Sequence, residues 1–166
     1  MFRVGIGFDV HRLVDERRLI LGGVVIPFEK GLLGHSDADV LTHAVCDAIL
    51  GALRLGDIGR HFPDSDPAYT GISSMILLER VRELMAGREF RLANLDTVVI
   101  AQRPKLHSYI AVMQDKLAAA LRTSADRVNV KATTTEGLGY TGRGEGIAAQ
   151  AVVQLIHVDF FQSERF

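Results

Sequence analysis

Three side chains in the first third of the sequence have the types that bind a catalytic metal ion. Asp9 and His11 are two residues apart in an alternating segment, so a strand there would project both from one face. His43 falls on the polar side of a predicted helix. Two histidines and one carboxylate leave a coordination position open, as in catalytic zinc sites. The alternative is an ordinary histidine on a solvated helix face, because three dispersed ligands form no closed signature.

The neighbours of His43 on the same helix face are acidic. Asp39 and Asp47 lie four residues before and after it. We expect one of these carboxylates to accept the second ring N–H of His43 and so fix its tautomer.

An imidazole and a hydroxyl stand at the predicted start of this helix. His35 is followed by Ser36 and Asp37. Unpaired N–H groups and the helix dipole favour an anion at such a position, and a phosphate group would fit there. The alternative is that Ser36 or Asp37 only caps the helix.

A run of threonines and one acid, residues 133–136, precedes a glycine-rich segment. Hydroxyls, a carboxylate and closely approaching backbone suit a diphosphate with its magnesium ion. Gly137, Gly139 and Gly142 satisfy G-x-G-x-x-G, but a strand rather than a helix is predicted to follow, which disfavours a dinucleotide site. A mobile glycine turn is the alternative.

Strands and helices must position these groups. Period-two alternation and apolar runs predict strands over residues 2–10, 19–21, 24–26, 95–101, 128–133 and 147–158. Apolar stripes at helical spacing predict helices over residues 38–53 and 74–86. A third helix is predicted shortly after Pro104, with an apolar face that includes residues from Ile110 to Leu121. The uneven order of helices among strands favours an open sheet with helices on one face. We therefore predict an α+β, ferredoxin-like fold in a single domain, residues 1–166.

Composition limits the partners. The chain has 166 residues and a formal net charge of -1, so it has no general basic field for nucleic acid or an anionic membrane. A single cysteine, Cys46, and a start without a signal-peptide pattern predict a cytoplasmic protein. The hydrophobic content of 48% is high for a small soluble domain, so we expect apolar surface in subunit contacts.

Five segments together resemble the 2-C-methyl-D-erythritol 2,4-cyclodiphosphate synthase family. They are GIGFDVHRL, KGLLGHSDADVLTHAVCDAILGAL, GDIGRHFPDSDP, AQRPKL and VNVKATTTEGLGYTGRGEGIAAQAV. The resemblance spans nearly the whole chain, and the motifs occur in the family's order and spacing.

This resemblance implies a homotrimer with each active site in a cleft between neighbouring subunits. It implies a zinc ion on three ligands, Asp9, His11 and His43. The family's phosphate-aligning pair falls on His35 and Thr134, and the carboxylate for a second ion, Mg²⁺ or Mn²⁺, falls on Glu136.

The resemblance also assigns substrate contacts. Residues 57–59 would meet sugar hydroxyls, and residues 101–106 with Ala132 would form a cytosine pocket. The complete set of expected substrate-binding residues is Ser36, Asp57, Ile58, Gly59, Phe62, Pro63, Asp64, Ser65, Asp66, Ala101, Pro104, Lys105, Leu106, Ala132, Thr133, Thr135, Tyr140 and Arg143. An apolar cavity on the trimer axis, reported in the family to take isoprenoid diphosphates, would involve Phe8, Arg143 and Glu145. The role of His107 is left open.

The implied reaction is an intramolecular cyclisation of 4-diphosphocytidyl-2-C-methyl-D-erythritol 2-phosphate that releases CMP. The same ligand set would also serve a zinc phosphohydrolase, in which the metal activates a water molecule. A non-enzymatic alternative is a trimeric sensor of metal or prenyl diphosphate.

Overall fold

The computed structural model describes residues 1–161, so the last five residues of the predicted domain lie outside it. The strands are β1 (Phe2–Val14), β2 (Leu19–Leu21), β3 (Val24–Ile26), β4 (Gly31–Leu32), β5 (Phe90–Ile100), β6 (Val128–Thr133) and β7 (Gly146–His157). The helices are α1 (Val40–Ala52), α2 (Ile58–His61), α3 (Ser74–Gly87), α4 (Ile110–Leu121) and α5 (Gly139–Gly142).

Five strands form one mixed sheet in the order β4-β1-β7-β5-β6, and β2 pairs with β3 as a separate hairpin. Strands β5 and β6 are parallel, whereas the other neighbours in the large sheet are antiparallel. The predicted apolar last strand is central, between β1 and β5. From Ala149 to Leu155 its buried side chains alternate with exposed or half-buried ones, so only one face of this part of the strand is fully buried in one chain.

The α+β class is confirmed, but the ferredoxin-like connectivity is wrong. The long strands and helices follow the order β1, α1, α3, β5, α4, β6, β7. A ferredoxin-like chain runs β-α-β-β-α-β, with a strand pair between its two helices. Here α4 joins β5 directly to the parallel β6, because parallel neighbours need a crossover connection.

The helices lie on one face of the sheet, where two glycines bring β1 close to α1. A Cβ on Gly5 or Gly7 would overlap the backbone oxygens of Ala48 and Ala44 respectively. The glycine face of β1 is therefore the buried one. The opposite face carries apolar side chains that are exposed in one chain, including Ile6 at 63% and Phe8 at 52%.

The start of α1 differs from the prediction. Ala38 has φ of 57°, outside the helical range, and the helix begins only after it. The cap is Asp39, not Ser36 or Asp37, because the Asp39 carboxylate accepts the N–H of Thr42 at 3.1 Å. The same buried carboxylate accepts both backbone N–H groups of the β2–β3 turn. Asp39 thus fixes the hairpin to the end of the helix that carries His43.

The core lies between this sheet face and the helices, with Leu41, Ile49, Leu78, Leu117 and Ile147 fully buried. Among residues 1–161, every helix is too short or too polar to cross a bilayer.

Candidate functional site

Asp9 and His11 on β1 meet His43 on α1 at the edge of the helix layer. The three facing atoms form a small triangle. Asp9 Oδ2 is 2.9 Å from His11 Nε2 and 3.1 Å from His43 Nδ1, and the two nitrogens are 3.2 Å apart. A tetrahedral zinc ion with bonds of about 2.0–2.1 Å needs ligand atoms about 3.3–3.4 Å apart, close to these separations. The donor set therefore fits a metal ion that keeps one position for another ligand.

Each histidine has its other ring nitrogen engaged. The Nδ1 of His11 lies 2.7 Å from the carbonyl oxygen of Leu33, so it must carry the proton and leave Nε2 as the metal donor. The Nε2 of His43 lies 2.8 Å from the hydroxyl of Ser74 and 3.1 Å from that of Ser36. The Nδ1 of His43 is then available to the metal.

The expectation that Asp39 or Asp47 accepts from His43 is wrong. Asp39 is fully buried and accepts from Thr42 and from the β2–β3 turn. Asp47 accepts the backbone N–H of Ile58 at 2.7 Å. Spacing put both acids near His43, but nearby backbone donors are their actual partners.

The charges of the site are coupled. Burial would raise the pKa of Asp9, but hydrogen bonds and charge interactions with His11 and His43 outweigh it and hold that pKa well below its usual range. For His11 burial would lower the pKa, and its interactions with Asp9 raise it overall. The single carboxylate of Asp9 thus lies close to two imidazoles, and this arrangement favours the binding of a cation between the three side chains.

A cavity of about 220 Å³, which we call the metal cavity, opens beside Asp9, His11 and His43. Its lining includes the predicted residues His35, Ser36, Ile58, Gly59, Phe62 and Asp64. His35 Nε2 lies 3.2 Å from the hydroxyl of Thr70, so a neighbouring loop orients this imidazole. In the same loop the rings of Phe62 and Tyr69 pack edge to face, with centroids 5.4 Å apart. Asp57 sits next to this cavity as the cap of α2, and its carboxylate accepts the N–H of Arg60.

A second cavity of about 280 Å³ lies at the ends of β5 and β6. It gathers the predicted residues Ala101, Pro104, Lys105, Leu106, Ala132, Thr133 and Thr134. At its edge the hydroxyl of Thr134 donates to the carboxylate of Glu136 at 2.8 Å. His107, whose role the sequence left open, also lines this cavity.

Within one chain, the predicted site residues do not lie together in a single cavity. His35 lines the metal cavity and Thr134 lines the second, so the predicted phosphate-aligning pair is divided between two separate cavities. Arg143 lines a third cavity of about 250 Å³ and pairs with Glu145 at 2.6 Å.

The remaining predicted residues have other surroundings. Pro63 and Ser65 are exposed in the loop after α2, and Asp66 caps a short 3-10 turn. Thr135 bonds to Thr141, while Tyr140 is 41% exposed and Phe8 lies on the open face of β1.

Several site residues were not predicted. Ser74 bonds to His43, and Tyr69 and Leu77 line the metal cavity. Ser74 is 31 residues from His43, and no spacing rule connects them. The sequence predicted Ser74 only as the first residue of a helix.

These features define an α+β protein whose sheet and first long helix present three residues that could hold a metal ion beside a cavity. A sequence profile of the YgbB family matches residues 2–156, and the chain belongs to this family. It is 65% identical over 153 residues to 2-C-methyl-D-erythritol 2,4-cyclodiphosphate synthase of Desulforamulus reducens, covering 92% of this chain and 98% of that protein. The synthase of Pelobacter propionicus is 62% identical over 154 residues, covering 93% and 98%. A solved 2C-methyl-D-erythritol-2,4-cyclodiphosphate synthase structure with CDP bound has a TM-score of 0.86 at 39% identity, covering 93% of this chain and all of that one.

Proposed function

We propose that this chain converts 4-diphosphocytidyl-2-C-methyl-D-erythritol 2-phosphate into 2-C-methyl-D-erythritol 2,4-cyclodiphosphate and CMP. An oxygen of the 2-phosphate attacks the β-phosphorus, and the bond from that phosphorus to the bridging oxygen breaks. CMP leaves with the bridging oxygen and its electron pair. The observation that carries the proposal is the Asp9, His11 and His43 triangle, with one open metal position, beside a cavity that also holds His35.

The residues present fit two metal ions of different kinds. His11 and His43 each expose one unprotonated ring nitrogen beside Asp9, which suits zinc. Glu136 is an exposed carboxylate held by Thr134, which suits a Mg²⁺ or Mn²⁺ ion that takes its other ligands from substrate phosphates. When bound, such ions would act as Lewis acids on the diphosphate and neutralise charge on the leaving group.

Positioning is the main contribution of the protein side chains. We assign His35 and Thr134 to hold the phosphates in line, and the remaining predicted residues to hold the sugar and the cytosine. The predicted substrate residues of the second cavity suit a flat base, since buried Ala101 and Leu106 lie there beside polar backbone. A correctly oriented intramolecular reaction gains roughly 7–11 kcal/mol from such positioning.

A homotrimer would complete the site. Its support is that one chain separates the metal cavity from the Thr134 cavity and leaves the apolar face of β1 exposed. Contact between copies through this face would also gather Phe8, Arg143 and Glu145 near one axis, where an isoprenoid diphosphate is the proposed ligand. We place this enzyme in the cytoplasm as a single domain.

Turnover in ¹⁸O-labelled water tests the reaction. A folded, bound substrate should outcompete water, because an oriented group acts as though present at roughly 10⁵–10⁸ M. We therefore expect a cyclic product and CMP that both lack the label. The zinc phosphohydrolase would instead add one labelled oxygen to a product, and stoichiometric label would overturn the cyclase. No turnover of any diphosphate with zinc and magnesium present would support the binding sensor.

A further inference from the structure

The ring of His43 is held by a chain of hydrogen bonds that extends away from the metal position. Ser74, the first residue of α3, is fully buried, and its hydroxyl is the nearest partner of His43 Nε2 at 2.8 Å. Ser74 also gives its hydroxyl hydrogen to Oδ1 of Asp37 in a short contact. The second carboxylate oxygen of Asp37 accepts the backbone N–H of Ser74 at 3.0 Å.

These contacts determine the direction in which hydrogen bonds are donated between Asp37, Ser74 and His43. The carboxylate of Asp37 can only accept, so the hydroxyl of Ser74 donates to it and presents its lone pairs to His43. Nε2 must then carry the proton of the imidazole, and Nδ1, which faces Asp9 and His11, carries a lone pair. Ser36 is a less favourable partner for this proton, since its hydroxyl is farther from Nε2, at 3.1 Å, and already accepts the N–H of Ala38.

The two histidines are therefore oriented by different means. His11 donates to a backbone carbonyl, that of Leu33, which a side-chain substitution cannot remove. His43 depends on side chains of two other segments, Ser74 at the start of α3 and Asp37 in the loop before α1. This difference makes the His43 ligand separately testable.

We infer that Asp37 and Ser74 are positioning residues that lock His43 in the Nε2-protonated tautomer needed to bind zinc through Nδ1. The inference rests on the proposed function through its zinc ligand set. Partners that orient a metal-binding histidine typically account for 10–100-fold in metal affinity.

Zinc affinity, measured by competition with a chromogenic chelator, tests this role without any turnover. We expect Ser74→Ala to bind zinc roughly 10–100-fold more weakly than wild type. Asp37→Asn should also weaken binding. Its amide oxygen should take the closer backbone N–H, that of Ser74 at 3.0 Å, in preference to that of Asp39 at 3.3 Å. Its NH₂ would then donate to the Ser74 hydroxyl and reverse the direction of donation in this chain of hydrogen bonds. Ser74 would then donate to His43 Nε2 and favour the wrong tautomer.

The matched control is Ser73→Ala. It removes a hydroxyl one residue earlier on the same helix end, where the Ser73 side chain makes no capping hydrogen bond. We expect unchanged zinc affinity. Circular dichroism of the zinc-free proteins checks that all variants are folded.

If Ser74→Ala fails to fold, a measurement on the wild-type protein still shows which ring nitrogen of His43 carries the proton. Nitrogen NMR of the zinc-loaded protein should show the His43 proton on Nε2. A proton on Nδ1, zinc affinity of folded Ser74→Ala equal to wild type, or no zinc binding by wild type would overturn the inference. Labelled product in ¹⁸O water would overturn the proposed reaction while leaving this result in place.

Discussion

At the scale of single residues, the site depends on carboxylates whose partners are mostly fixed donors. Asp9 faces the ring nitrogens of two imidazoles, Asp37 accepts from Ser74, and Asp47 accepts from the backbone of the turn at Ile58. Asp39 has the most complete shell, with two donors on each carboxylate oxygen. Because three of these four donors are backbone N–H groups, they cannot rotate to suit a different side chain.

Asp39→Asn should therefore destabilise the fold even though it is nearly isosteric. Either orientation of the amide points its NH₂ at a backbone N–H, either that of Gly23 or those of Gly22 and Thr42. We expect a loss of about 1–3 kcal/mol in the free energy of unfolding, the usual cost of a buried unsatisfied donor. Urea denaturation at fixed protein concentration measures it. Asp115→Asn, on the exposed side of α4, should change stability by less than about 0.5 kcal/mol, and equal effects of the two substitutions would contradict the assigned role.

At the scale of elements, the distance between β1 and α1 determines whether the metal ligands meet. Asp9 and His11 belong to the strand and His43 to the helix, so the separation of the two backbones sets the size of the triangle. Gly7, like Gly5, lies where the helix backbone comes close to the strand. A glycine is needed here because of close approach and not because of a special φ.

Gly7→Ala should push α1 away from β1, since the new Cβ would overlap the Ala44 oxygen and the Ala48 nitrogen. We expect a loss of at least about 1–3 kcal/mol in unfolding free energy, as for overpacked cores, together with weaker zinc binding. Gly51→Ala is the matched control on α1, because its Cβ would meet only the Ile6 oxygen at an ordinary 3.8 Å. That substitution should stabilise the helix by about 0.5–1 kcal/mol. Equal unfolding midpoints for the two variants would refute the close-approach argument.

The sequence predicts these elements better than their arrangement. Strands β2, β3 and β6 have the predicted bounds, because each has a clear local period or turn signal. Alternation alone put Asp9 and His11 on one face. By contrast, the insertion of β7 between β1 and β5 depends on contacts between distant segments, and local patterns do not encode it. The Ser74 partner of His43 was missed for the same reason.

At the scale of the whole molecule, one chain holds two incomplete halves of the proposed site. Asp9, His11, His43 and His35 belong to one cavity, and Thr134 lines another with Glu136 bonded to it. Meanwhile Ile6, Phe8 and their neighbours form an exposed apolar strip on β1. A head-to-tail ring of three copies would cover this strip and could bring the metal cavity of each copy to the Glu136 segment of the next.

Subunit mixing tests this division directly. His43→Ala trimers and Glu136→Gln trimers should each be inactive, the first because zinc is lost and the second because the second metal loses its carboxylate. Co-expressed as mixed trimers, the two chains should regain activity wherever an intact metal cavity meets an intact Glu136. Random mixing makes one junction in four intact, so about a quarter of the wild-type rate is expected.

Light scattering and mass spectrometry of differently tagged chains verify the mixed trimers. Verified mixed trimers without activity would show that both groups act within one chain, because no mixed assembly then contains a complete site.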